Sequence, residues 1–152
     1  MKNSKITVTE DITLIFLHDY PADIRLIADI FKKIAEAGID VDMISQASPN
    51  GQHASLSFTV FDEDFGKILG IVAELRNHNP ELKIGVSSGN CKISVYNEEM
   101  KGTPGVAAAV FDAVSSANTD IRMITTSEVD ISILVVKADV ETAVAALHKH
   151  LA

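Results

Sequence analysis

The chain has 152 residues, an apolar fraction of 47%, a charged fraction of 22% and a formal net charge of −8. This is the composition of a soluble globular protein with a real core, and the length admits one ordinary domain or two very small ones. An acidic balance without any Lys/Arg cluster argues against nucleic acid and against an anionic membrane surface, because phosphate neutralisation drives such binding.

Only 5% of residues are aromatic and there is no Trp, so stacking platforms for bases are scarce and Ile, Val, Leu, Ala and Met must fill the core. The single cysteine, Cys91, has no intramolecular partner, which fits a reducing cytoplasm. The apolar run Ile12 to Leu17 is too short for a secretory leader or a membrane span. A cytoplasmic location is expected.

In chain order, Ile6 to Thr9 and Ile12 to Leu17 read as two strands broken at Glu10-Asp11. Ile27, Ile30, Phe31 and Ile34 recur at helical spacing within Ala22 to Ala37, and Gly38 follows as a stop. Ile39, Val41 and Met43 alternate with Asp40 and Asp42 as a strand. Ser48 to Gly51 then turns the chain into a second arm, Ala54 to Phe61. Asp62 is placed to cap a helix running to about Asn77, with Phe65, Ile68, Leu69, Val72 and Leu75 on its apolar face. Leu82, Ile84 and Val86 make a further strand, and Ser87 to Asn90 is the small polar turn in mid-chain. The first unit is thus βαββαβ, ending near residue 90.

The order then repeats: Cys91 to Tyr96 as strand, Gly105 to Ala117 as helix, Ile121 to Thr126 and Asp130 to Val136 as a hairpin, Val140 to His150 as helix. A constant offset of 80 residues relates Ala28 to Ala108, Phe31 to Phe111, Ala37 to Ala117, Asp40 to Asp120, Met43 to Met123 and Ile44 to Ile124. The agreement runs on from the helix into the following strand, which identifies an internal duplication. The second copy lacks one strand while Ile6 to Thr9 is left over in the first. An unpaired edge is costly, so the N-terminal strand is expected to cross and complete the second sheet. The expected modules are residues 1–89 and 90–152, with residues 4–9 swapped into the second.

Little in the chain looks catalytic. Asp62-Glu63-Asp64 sits at a helix start, where acidic groups complement the dipole, and Glu98-Glu99 lies in a loop. The five histidines show no convergent metal spacing, so no metal is expected. Cys91 reads as a structural thiol. Without a Gly-x-Gly-x-x-Gly or Walker pattern, no nucleotide cofactor is expected. Gly102-Thr-Pro-Gly105 is the one Gly-rich loop that opens a helix. It serves equally as a tight strand-to-helix turn or as a carboxylate-binding helix N-terminus.

The segment Thr103 to Val136 carries a Pro104-Gly-Val-Ala107 start, an Asn118-led strand and a Thr126-Ser-Glu128 hairpin. In that order these resemble the regulatory tail of aspartokinases. Ile34 to Gln46, IAEAGIDVDMISQ, resembles the companion first module of the same tail, so the resemblance covers nearly the whole chain. The module is the ACT domain. The resemblance implies an α+β fold of two ferredoxin-like βαββαβ modules in tandem, with antiparallel sheets set side by side. It also implies an amino-acid effector, typically lysine or threonine, held in the strand-to-helix loop. Carried over by position, the first pocket uses Asp19, Pro21, Asp42, Met43 and Gln46. The second uses Met100, Pro104, Gly105, Val106, Ile124, Ser127 and Glu128. Loop N–H groups would take the effector carboxylate and an Asp or Glu its ammonium.

The first loop departs from the pattern, reading Asp19-Tyr-Pro-Ala22. With the helices aligned, Ile24-Arg25 falls where Pro104-Gly105 stands. Arg25 would then offer its guanidinium to a carboxylate or plug the pocket. No kinase domain is recognisable, and a chain opening on Met1 is expected to be a free-standing regulator, a regulatory subunit or a fragment. The leading expectation is a non-catalytic, amino-acid-binding regulator that acts allosterically on itself or on an aspartokinase-like catalytic chain. Exposed sheet edges add the expectation of a homodimer. The competing expectation is a structural dimerisation module with degenerate pockets. A small enzyme on the same scaffold stands third, on fold analogy alone.

Overall fold

The computed structural model describes residues 3–151, so Met1, Lys2 and Ala152, at the outer ends of the expected modules, lie outside the described residues. The elements run β1 (Lys5–Pro21), α1 (Ile24–Glu36), β2 (Ile44–Ala47), β3 (His53–Phe61), α2 (Phe65–His78), β4 (Lys83–Tyr96), α3 (Val106–Ser116), β5 (Ile121–Thr126), β6 (Asp130–Val136) and α4 (Val140–Leu151). The chain divides into two compact units: Asp11–Ser88, and Gly89–Ala152 together with Met1–Glu10. Both long strands, β1 and β4, contribute residues to each unit.

In the unit Asp11–Ser88 the strands neighbour one another in the order β2-β3-β1-β4. Strand β3 is antiparallel to both β2 and β1, from Ile12 opposite Phe61 to Leu17 opposite Leu56. The register then shifts before Tyr20 meets Ala54, and Asp19 adopts φ +49° in the shift. Along β3, Ala54, Leu56, Phe58 and Val60 are buried at alternate positions, as the strand period requires. They meet Ile15 and Leu17 of β1, Ile30 and Ile34 of α1, and Ile68, Val72 and Leu75 of α2 in one core. Phe31 packs edge-on to Phe58 at 5.2 Å.

In the other unit the order is β1-β4-β6-β5. Strand β6 is antiparallel to β4, from Asn90 opposite Val136 to Tyr96 opposite Asp130, and to β5 on its other side. Cys91, Ile93 and Val95 join Ile131, Ile133 and Val135, Val110 and Val114 of α3, and Ala143, Leu147 and Leu151 of α4 in a second core, with Ile6 packed against it. Ser4 N donates to Leu151 O at 3.1 Å.

Helices α1 and α3 end in the same way. Gly38 N donates to Ala35 O and Ile39 N to Ile34 O, while Asn118 N donates to Ser115 O and Thr119 N to Val114 O. Gly38 and Asn118 take φ +74° and +56°, as a left-handed C-terminal cap demands. These pairs keep the 80-residue offset read from the sequence.

Several element limits differ from expectation. The break at Glu10-Asp11 is absorbed inside β1, where Asp11 turns to φ +59°, and Ser87 to Asn90 continues β4 with Gly89 at φ +73°. Both residue types tolerate the left-handed region, so the chain bends without leaving the strand. Strand β2 begins only at Ile44. Before it, Asp42 N donates to Thr59 O and Thr59 N to Met43 O, so two residues oppose one in a bulge, and the extra Met43 N–H donates to Thr59 Oγ1. Asp62 lies in a single 3-10 turn ahead of α2 and accepts the Thr13 hydroxyl at 2.6 Å. Among the described helices none is long and apolar enough to cross a membrane.

Gly85 of β4 lies under the ring of Phe16, where a Cβ would stand 1.9 Å from Cζ. That ring is itself edge-packed on His18 at 4.8 Å. Gly85→Ala is expected to lower stability in urea unfolding by about 1–3 kcal/mol through overpacking. Phe16→Ala in the same background should recover most of the loss. Equal costs with and without the Phe16 ring would show that the contact is not the cause.

Candidate functional site

After β4, the buried Asn97 organises the connection to α3. Its N–H donates to Val129 O at 2.9 Å, its Oδ1 accepts Glu99 N at 2.8 Å, and its Nδ2 donates to Ser4 Oγ at 3.3 Å. These bonds fix the 3-10 turn Glu98–Met100. Thr103 closes the loop by donating its hydroxyl to Glu99 O at 2.6 Å.

Gly105 then serves as N-cap of α3 at φ +92°, with no side chain capping the helix. The leading N–H groups of a helix have no partners within it. Here they open on a groove of about 630 Å³ lined by Glu99, Thr103, Pro104, Gly105, Val106 and Ala109. Backbone donors and the positive end of the helix dipole suit a carboxylate, the Glu99 carboxylate suits an ammonium, and Val106 and Ala109 offer apolar walls.

Of the residues expected in this pocket, Pro104, Gly105 and Val106 are brought together. Met100 is buried in the core. Ile124 is exposed on β5, the outermost strand in the order of its unit. Ser127 and Glu128 form the β5–β6 turn, where Ser127 N donates to Asp130 O. Glu128 reaches the loop through Lys101, 3.4 Å from its Oε2.

In the other unit, Asp19 and Pro21 line a groove of about 720 Å³ with Tyr20, Leu26, His53 and the His78–Lys83 connection. Asp19 Oδ1 lies 3.4 Å from His53 Nδ1. Asp42, Met43 and Gln46 do not line it. Asp42 N donates to Thr59 O, Met43 is buried and Gln46 is exposed on β2. Burial raises the Tyr20 phenol above its ordinary pKa, with the Gln46 side chain acting in the opposite sense. Among the described residues its buried hydroxyl makes no hydrogen bond of good geometry.

Helix α1 begins differently from α3. Asp23 caps it by accepting Arg25 N at 2.9 Å. The Arg25 guanidinium returns to the same carboxylate at 3.2 Å and holds its pKa below the usual range. Arg25 thus turns back on its own helix start and lines neither of the two grooves described above. Its side chain is 87% exposed.

Sequence reasoning missed Glu99, Thr103 and Ala109 in one groove, and His53 and the 78–83 connection in the other. Ala109 was recoverable, standing one helical turn after Val106. Glu98 and Glu99 read alike in the sequence, as acids in a loop, and only the fold gives the two carboxylates different surroundings. Glu98 accepts the Tyr96 hydroxyl at 3.0 Å while Glu99 faces the groove.

The left-handed backbone at Gly105 gives a stability test with an internal control. Gly105→Ala is expected to cost about 1–2 kcal/mol, the penalty of a Cβ at that φ. Gly70→Ala, in mid-α2 with open space around its Cβ position, should instead stabilise by about 0.5–1 kcal/mol. Denaturant midpoints shifting in the same direction for both would overturn the assignment of Gly105.

The ACT domain family model matches residues 93–151. An aspartokinase from Geobacillus stearothermophilus is 31% identical over 138 residues, covering 91% of this chain and 32% of that protein. The chain thus spans about a third of the length of the curated relatives it matches. Among solved structures, the ligand-free regulatory subunit of aspartate kinase from Thermus thermophilus superposes with a TM-score of 0.85 at 29% identity, covering 98% of this chain and 97% of that one. A chain from a structure of aspartokinase alpha and beta subunits gives a TM-score of 0.85 at 30% identity, with 95% of each chain covered. Full-length likeness of this kind, on a chain whose grooves lie at strand-to-helix connections, places the protein in the ACT-domain family of aspartokinase regulatory regions.

Proposed function

We propose that this chain is a non-catalytic regulator in which two ACT modules stand in tandem, with the N-terminal strand completing the second. It binds a free amino acid of the lysine or threonine type in the groove at the start of α3. The observation that carries this reading is the uncapped N-terminus of α3 sharing a groove with Glu99. A zwitterion needs donors for its carboxylate and an acceptor for its ammonium, and the helix start and Glu99 both line this groove. Binding shifts the population of assembly states, either of the chain itself as a homodimer or of a complex with an aspartokinase-like catalytic chain. Ile44 and Ile124, exposed on β2 and β5, are the apolar residues available on these edges for a second copy.

A second reading, a structural dimerisation module, draws on the unit Asp11–Ser88, whose helix N-terminus is already occupied by Asp23. Calorimetry separates the two. Titration with lysine, threonine and then the remaining amino acids is expected to show saturable binding of one of them, lost in Gly105→Val and weakened in Glu99→Gln and Glu128→Ala. The same ligand at a hundred times its Kd should raise unfolding stability by about 2.7 kcal/mol. No binding of any amino acid up to millimolar concentration would leave the structural module.

The tandem arrangement makes its own prediction. Deleting residues 1–9 is expected to abolish amide protection in the 89–96 part of β4, in β6 and in α4 while β3 and α2 stay protected. Uniform loss across both units, or none, would overturn it.

A further inference from the structure

Asn50-Gly51 is the one Asn-Gly step in the sequence, and it forms the exposed turn between β2 and β3. We propose that Asn50 is a self-modifying residue, whose side-chain amide is attacked by the Gly51 nitrogen to give a succinimide that opens to aspartate and isoaspartate. In the first step the N–C bond to Asn50 Cγ forms, the proton on Gly51 N passes to solvent base, and ammonia leaves with a proton from water. In the second, water adds to either ring carbonyl and one ring C–N bond breaks, leaving a carboxylate. Water is the one co-reactant, and no oxidant or reductant enters.

Three features of the turn favour the chemistry. Gly51 has no Cβ to obstruct ring closure and open space where one would stand. Its N–H is held only by a long 3.3 Å bond to Ser48 O, so the nucleophile is cheaply released. Asn50 Oδ1 accepts the N–H groups of Gln52 at 2.9 Å and His53 at 3.1 Å. Two backbone donors aimed at the amide oxygen polarise the carbonyl and stabilise the negative charge it acquires as the nitrogen adds.

The change reaches beyond the turn. Gln52 O accepts Ala22 N at 2.9 Å, tying the hairpin to the connection that enters α1, and His53 pairs with Asp19 at the groove of that unit. An aspartyl product keeps an oxygen for both N–H groups and adds a charge. An isoaspartyl product lengthens the backbone by one methylene between Asn50 and Gly51, which displaces Gln52 and loosens its hold on Ala22. The groove therefore carries a slow chemical clock, set by protein age and pH.

The test is incubation of the intact chain at mildly alkaline pH, followed by peptide mapping and separation of the more acidic species by ion exchange. Asn50 is expected to convert faster than Asn77, Asn97 and Asn118, and faster as pH rises. Gly51→Val should slow it about tenfold, equivalent to about 1.4 kcal/mol in the barrier. Should that variant fold poorly, Asn50→Gln, which disfavours the five-membered ring, must abolish conversion at this position. Conversion at Asn50 no faster than at the other asparagines overturns the proposal. Amide exchange at Ala22 should accelerate in the isoaspartyl form and stay unchanged in Asn50→Asp. An unchanged Ala22 in the isoaspartyl form overturns the coupling to the groove.

Discussion

The constraint on which the structure depends is that, among the described residues, the unit holding β5 and β6 draws its fourth strand from the 5–10 part of β1. That strand is held at several points. Ile6 packs on the core, Ser4 N bonds to the last carbonyl of α4, and Ser4 Oγ accepts the amide of Asn97. Asn97 is also the residue that fixes the turn before α3. Docking of the N-terminus and the shape of the groove therefore share one buried side chain. In a low-dielectric setting such a network is stable when complete and costly when any member is lost. The contact between Ser4 and Asn97 joins residues 93 positions apart in sequence within a single unit.

A second constraint is the need for positive φ wherever the chain bends without breaking. Asp11 and Gly89 take it where β1 and β4 pass from one unit into the other. Gly38 and Asn118 take it at the ends of α1 and α3, and Gly105 takes it at the entry to α3. The first four let regular elements continue or stop. Gly105 does more, because a residue at that φ without a polar side chain leaves the helix start open. A Ser or Asp there would satisfy a donor from within the chain and remove it from the groove.

Most of the fold is legible in the sequence because period-3.6 and period-2 patterns report a buried face directly, as in α2 and β3. The repeat is legible for the same reason, and the matched helix ends at Gly38 and Asn118 show that the 80-residue offset is a property of backbone geometry as well as of residue identity. What escaped reading depended on long-range partners. Ile39 to Met43 alternates like a strand, yet Asp42 and Met43 together oppose Thr59 in a bulge, and the regular pairing of β2 begins at Ile44. Asp62 has the identity and position of a cap, but Thr13, distant in sequence, claims its carboxylate. In the site, Pro104, Gly105 and Val106 were legible as a loop that opens a helix. Glu99 was not, because nothing in a Glu-Glu pair says which carboxylate the fold will turn toward the loop.

The two grooves show how a repeated framework acquires unequal chemistry. At α1, Asp23 accepts the helix N–H of Arg25 and carries a negative charge that Arg25 itself balances, so the helix start is satisfied internally. At α3, the cap position is a glycine and the nearby acid, Glu99, stands across the groove rather than on the helix start. The same helix-terminus physics therefore stabilises the protein in one unit and remains available to a ligand in the other. The difference rests on where each helix begins in the repeat: α1 is capped by Asp23, two positions ahead of Arg25, which stands where Gly105 caps α3.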